Sequence, residues 1–156
     1  MSYMDGLKGK VYQAPEFRSK GRRMELEDSF FVREEGKAYV LFLTLNASLS
    51  GENRSYTYTL YSVQEEKTVE PDSPVFRSLA SRLPPPEHAV KTGGNLDPME
   101  LFRLEMEYDA LVGSFLQNGR LTETEKQKYE EYMDQMQAMQ SPSFTAVYKA
   151  ARALLN

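Results

Sequence analysis

Alternation of apolar and polar side chains is clearest over residues 37–49, where the odd positions Tyr39, Leu41, Leu43, Leu45, Ala47 and Leu49 are all apolar. The even positions pass from Val40 and Phe42 to Thr44, Asn46 and Ser48. Because a strand points alternate side chains to opposite faces, this run predicts a central strand with its odd face on the core and its even face partly covered. Residues 24–33 place Met24, Leu26, Phe30 and Val32 on even positions, with Asp28 and Phe31 breaking the alternation. Joined to the central run by the polar turn Glu34-Glu35-Gly36-Lys37, they predict an antiparallel partner. After a polar loop, Tyr56, Tyr58 and Leu60 share one face of a third strand, and Thr57, Thr59, Tyr61 and Val63 the other. Its β-branched and aromatic residues suit a sheet. Residues 10–13 offer a short edge strand, and 64–73 read as a polar connection.

Beyond Ser73 the apolar spacing lengthens to three and four. Val75, Phe76, Leu79, Ala80 and Leu83 predict a short helix over 74–83, capped by Ser73 with Pro74 at its first position and ended by Pro84-Pro85-Pro86. Residues 87–96, with Gly93-Gly94-Asn95, read as a loop. Asp97-Pro98-Met99-Glu100 is a helix start whose core stripe is Leu101, Leu104, Tyr108, Leu111, Val112 and Phe115, stopped by Asn118-Gly119. Thr122-Glu123-Thr124-Glu125 forms a capping box for a second stripe of Tyr129, Tyr132, Met133, Met136 and Met139. Ser141-Pro142 opens a last helix with Phe144, Val147, Tyr148, Ala151, Leu154 and Leu155 inward.

The predicted fold is therefore α+β. An N-terminal antiparallel β-meander of three or four strands packs against a C-terminal bundle of three to four helices, which sit on the odd face of the central strand. A single domain is expected over 1–156, with a mainly β half (1–70), the short helix, a Pro/Gly-rich loop (84–96) and a helical half (97–156).

Composition supports a folded chain: 40% of the 156 residues are hydrophobic and 27% charged, far from a disordered profile. There is no cysteine, which excludes disulfides, thiolate nucleophiles and cysteine-ligated zinc. With no signal-peptide pattern and no run of 18 apolar residues, a cytoplasmic location away from membranes is expected. The net charge of −4 argues against a surface built wholly for nucleic acid. That charge is polarised. Residues 1–23 carry six basic residues against Asp5 and Glu16, a balance of +4, whereas 97–134 carry ten acids against four bases, a balance of −6.

Catalytic patterns fail one after another. His88, the only histidine, follows the proline run in a loop-like segment with no nucleophile or carboxylate placed beside it by sequence. Lys91-Thr92-Gly93 matches one motif of penicillin-recognising serine enzymes, but no Ser-x-x-Lys accompanies it. Gly93-Gly94 belongs to neither a phosphate loop nor a dinucleotide turn. The carboxylates of the helical half lack the histidines of a di-metal bundle and read as a solvated face. No cofactor or metal is expected.

What remains are contact signals. Lys20, Arg22 and Arg23 form a basic cluster able to meet phosphate or an acidic partner. Tyr129, Tyr132, Met133, Met136 and Met139 combine the residue types that interfaces favour with the spacing of a core. The expected function is a small non-enzymatic protein that binds another macromolecule, a protein first, as adaptor or inhibitor. Its acidic helices would suit a basic groove such as that of a nucleic-acid enzyme. The alternatives are a small-ligand binder or weak hydrolase with a pocket lined by Tyr56, Tyr58 and Tyr61, and nucleic-acid contact through the basic cluster.

Overall fold

A computed structural model describes residues 6–7, 10, 22–48, 54–85, 97–138 and 142–155. Its elements follow in the order β1 (Arg22–Glu34), β2 (Lys37–Ser48), β3 (Arg54–Ser62), β4 (Lys67–Thr68), α1 (Pro74–Ala80), α2 (Pro98–Asn118), α3 (Glu123–Ala138) and α4 (Pro142–Ala153). The four strands form one antiparallel sheet in sequence order, a meander followed by helices, which is an α+β fold.

The β1–β2 hairpin closes through Glu35 and Gly36, both at positive φ (51° and 77°). Two such residues match the right-handed twist of the flanking strands, so the register follows from the turn and sets Phe30 opposite Leu41 and Phe31 opposite Val40. Further along, Leu26 faces Thr44 and Asp28 faces Leu43, so β1 carries one extra residue at Glu27. This bulge shifts the phase of alternation. It moves the even positions of β1 from partners on the even face of β2, as Leu26 opposite Thr44, to partners on the odd face, as Phe30 opposite Leu41, and Asp28 shares that face with Phe30 and Val32 by ordinary alternation.

Both faces of β2 are buried, which corrects the expectation of an even face only partly covered and of helices gathered on the odd face. Leu41, Leu43 and Leu45 are covered on the odd face, and Ala38, Val40, Phe42 and even Thr44 on the other. The helices are divided accordingly. Helix α1 lies on the odd face, its Phe76, Leu79 and Ala80 meeting Leu41, Tyr58 and Leu60. Helices α2 and α3 take the even face, where Phe31 stacks on Tyr108, Phe115 and Tyr129. Helix α4 reaches the odd-face residue Phe30 with Tyr148, ring centroids 5.1 Å apart and edge-on. Polar even positions misled the periodicity because threonine packs its methyl group well in a sheet; the Thr44 hydroxyl is buried without a hydrogen-bond partner among the described residues.

Helix boundaries agree with their capping chemistry. Ser73 accepts from the Phe76 amide and Asp97 from the Met99 amide. Thr122 and Glu125 exchange bonds of 3.0 and 3.2 Å as a complete capping box. Gly119 ends α2 at φ 72°, its amide bonded to the Phe115 carbonyl, and the Arg33 guanidinium donates to its carbonyl. That contact docks the end of α2 on the hairpin. Helix α1 stops at Ala80, three residues before the sequence suggested, with 81–83 continuing as turns.

Two strand expectations change. Lys10 has helical backbone, and the rest of the proposed 10–13 strand lies outside the described residues. The fourth strand is instead β4, within the segment read as a connection. Glu66 at φ 52° lets the chain turn back, so Lys67 and Thr68 pair with Ser62 and Tyr61.

Candidate functional site

Helix α2 has two apolar lines. One, Leu104, Tyr108, Leu111, Val112 and Phe115, is buried, and from Tyr108 to Phe115 it joins the core cluster formed with the sheet and α3. The other is Met99, Phe102 and Met106, exposed at 73%, 58% and 59%. At about 100° per residue these three fall within about 60° of one another and opposite the buried line. Ala110 and Gly113 continue the same line toward the C-terminus. Three large apolar side chains in one row are an organised patch, unlike scattered surface residues.

The rims of this patch are acidic. Glu105 and Asp109 lie on one side, with Glu100, Arg103 and Glu107 on the other. Arg103 bonds to Glu100 and, at 2.8 Å, to Glu107. The hydrogen bond from Arg103 holds Glu100 below its ordinary pKa. Exposed pairs of this kind add little stability. Their effect is on charge: the guanidinium that α2 contributes is already engaged, and four carboxylates of the helix dominate the face.

A second constellation gathers at the outer edge of β1. Tyr108 from α2, Tyr129 and Tyr132 from α3 and Tyr148 from α4 converge on Asp28, Ser29 and Phe31. Tyr148 donates to Asp28 Oδ2 at 2.5 Å, and Asp28 Oδ1 accepts the Ser29 amide at 2.8 Å. The Tyr108 hydroxyl lies 2.6 Å from Ser29 Oγ, and the Tyr129 hydroxyl accepts the Phe31 amide at 3.0 Å. Two residues on, the Arg33 amide reaches the Leu154 carbonyl at 2.7 Å. Three successive outward amides of an edge strand are thereby satisfied by helices or by the strand's own aspartate. Such an edge cannot template another strand.

Chemically this cluster is a set of donors. Burial raises the pKa of Tyr108, Tyr129, Tyr132 and Tyr148, the Asp28 charge raises all four further, and neighbouring phenols add to this at Tyr108, Tyr132 and Tyr148. All four phenols stay protonated at neutral pH, so they offer hydrogen bonds and no base. Asp28→Ala is expected to destabilise the protein by about 2–4 kcal/mol, since it strands the Ser29 amide and the Tyr148 hydroxyl without acceptors. Urea unfolding measures this. A loss below about 0.5 kcal/mol would show that neither donor depends on Asp28.

The residues singled out from sequence are dispersed. Tyr129 and Met133 are core residues, each 1% exposed, while Tyr132 and Met136 are partly buried against that core. Arg22 and Arg23 belong to β1, paired with Ser48 and Ala47. Lys20, Met139, His88 and 91–93 lie outside the described residues. Tyr56 and Tyr58 share the odd face with Leu43 and Leu45, whereas Tyr61 pairs with Val40 on the other, so the three do not line one pocket. The crevice beside Tyr58 lies between apolar walls and has no room for a water molecule. Tyr58 turns its hydroxyl to the Pro84 carbonyl at 2.7 Å.

Met99, Phe102 and Met106 were not singled out from sequence. Their spacing of three and four was visible there, but the stronger line on the same helix absorbed the reading. Among the described residues no group of three acidic or histidine side chains is arranged to hold a metal, and no helix is long and apolar enough to cross a membrane. Comparison with protein-family models, curated proteins and solved structures finds no match for this chain.

Proposed function

We propose that the protein acts by binding another protein, as an adaptor or inhibitor without chemistry of its own, and that the outer face of α2 is the contact surface. The observation that carries this reading is the row Met99, Phe102 and Met106, exposed on a helix whose opposite line is fully packed. Side chains of this kind bury well in an interface centre, and methionine adapts to an irregular partner. The acidic rim fits the inhibitor form of the reading, in which a helix enters a basic groove.

A photo-crosslinking amino acid at position 102 tests it in extracts of the native cell. The expected result is one stoichiometric adduct, absent when the same group stands at the exposed Lys149 of α4 and lost when Met99 and Met106 are both changed to Asp. Equal labelling from both positions, or none from position 102, would remove the contact surface from the proposal.

A further inference from the structure

Resting on that reading and naming its partner, we infer that the outer face of α2 receives a basic amphipathic helix of another protein, laid along the row from Met99 to Gly113. The row covers 14 residue steps, about 21 Å or four helical turns, enough to match apolar anchors spaced i, i+3 or i+4, and i+7. Its form is graded. Met99, Phe102 and Met106 stand out at one end, while Ala110 and Gly113 leave the other end low, so an approaching helix can lie close there and meet bulky side chains further along.

Charge selects the occupant. Four carboxylates of α2 rim the row, Glu105 and Asp109 on one side and Glu100 and Glu107 on the other, and the cation that α2 itself places among them, Arg103, is bound to Glu100 and Glu107. A helix with an apolar line and Lys or Arg on both shoulders complements this pattern on each side. A second copy of the chain does not, because its own row would bring the same four carboxylates into contact with these.

The test uses the full chain and a labelled synthetic helix of leucine and alanine with lysines on both shoulders. Controls are the same peptide with glutamate for lysine and a scrambled lysine peptide of equal composition. Expected results are binding of the lysine helix at least tenfold tighter than either control, weakening about tenfold as salt rises from about 50 to about 300 mM. Phe102→Asp with Met106→Asp should reduce affinity at least thirtyfold while leaving thermal unfolding unchanged. Glu105→Lys with Asp109→Lys should weaken the lysine peptide and strengthen the glutamate one, whereas Glu123→Lys with Glu131→Lys on α3 should do neither.

Equal binding of the lysine and glutamate peptides, or indifference to the Phe102 and Met106 changes, overturns the inference. So does self-association in sedimentation that Phe102→Asp abolishes, which assigns the face to a second copy. A large gain in peptide affinity on Arg18→Glu with Lys20→Glu also overturns it, by assigning the face to the chain's own basic segment. If the crosslink at position 102 persists while the lysine helix fails, only the partner's chemistry is wrong. If the crosslink is absent, the contact surface itself falls.

Discussion

Phe31→Ala is expected to destabilise the protein by about 3–5 kcal/mol, the range for removing a fully buried aromatic ring. Phe31 is completely buried, with ring centroids of Phe115, Tyr129 and Tyr108 at 4.4, 4.7 and 5.6 Å. Its neighbours cannot collapse into the space. Tyr129 is held by the Phe31 amide and Tyr108 by Ser29, and both stay in place only if β1 keeps its position. A loss of that size is a large part of the 5–15 kcal/mol typical of a domain. Phe102→Ala, at an exposed position on α2, should change stability by no more than about 0.5 kcal/mol. Urea unfolding of the two variants measures the contrast. Similar losses for both, or less than about 1.5 kcal/mol for Phe31→Ala, would show that the ring stack does not hold the helices to the sheet.

Alkaline pH should unfold the protein steeply. Tyr108, Tyr129 and Tyr148 are buried, and burial raises each pKa above the ordinary value of 10.0. Above pH 10 the unfolded chain releases these protons while the folded chain keeps them, so the folded state binds more protons and stability falls as pH rises. Below pH 10 the contribution is fully present. Each phenol adds a slope of up to about 1.4 kcal/mol per pH unit, and three together give about 4. Denaturant midpoints between pH 9 and 11.5, followed with tyrosinate absorbance, measure it. Tyr148→Phe should remove up to about 1.4 kcal/mol per pH unit from the slope, whatever it does to stability at neutral pH. The expectation fails if the buried phenols ionise along with the exposed ones before the chain unfolds.

These two results rest on the same junction, where three helices meet the outer edge of β1. Its components were legible only singly. Tyr108, Tyr129 and Tyr148 each lie on an inward line of a helix, and Asp28 was visible as a break in alternation. Nothing local joins them, because Asp28 and Tyr148 are 120 residues apart in the chain and meet through the packing of α4 against β1. The bulge at Glu27 hides the register of the first half of β1 as well. A single extra residue reverses which side chains face the core, and periodicity alone cannot locate it.

The sequence by itself determined the elements whose cause is local. Helix starts at Ser73, Asp97 and Thr122, the stop at Gly119 and the turn at Gly36 all follow from capping and φ preferences, which depend on residues within a few positions. Alternation over 37–49 likewise marked the middle strand and the α+β order. Tertiary structure decided what those elements share. It covered both faces of β2 by dividing the helices between them, since a polar threonine is buried or exposed according to what packs above it. It sent Tyr129 and Met133 inward and left Met99, Phe102 and Met106 outside, since a helix with two apolar lines offers either face and only the sheet's demand for a partner selects one.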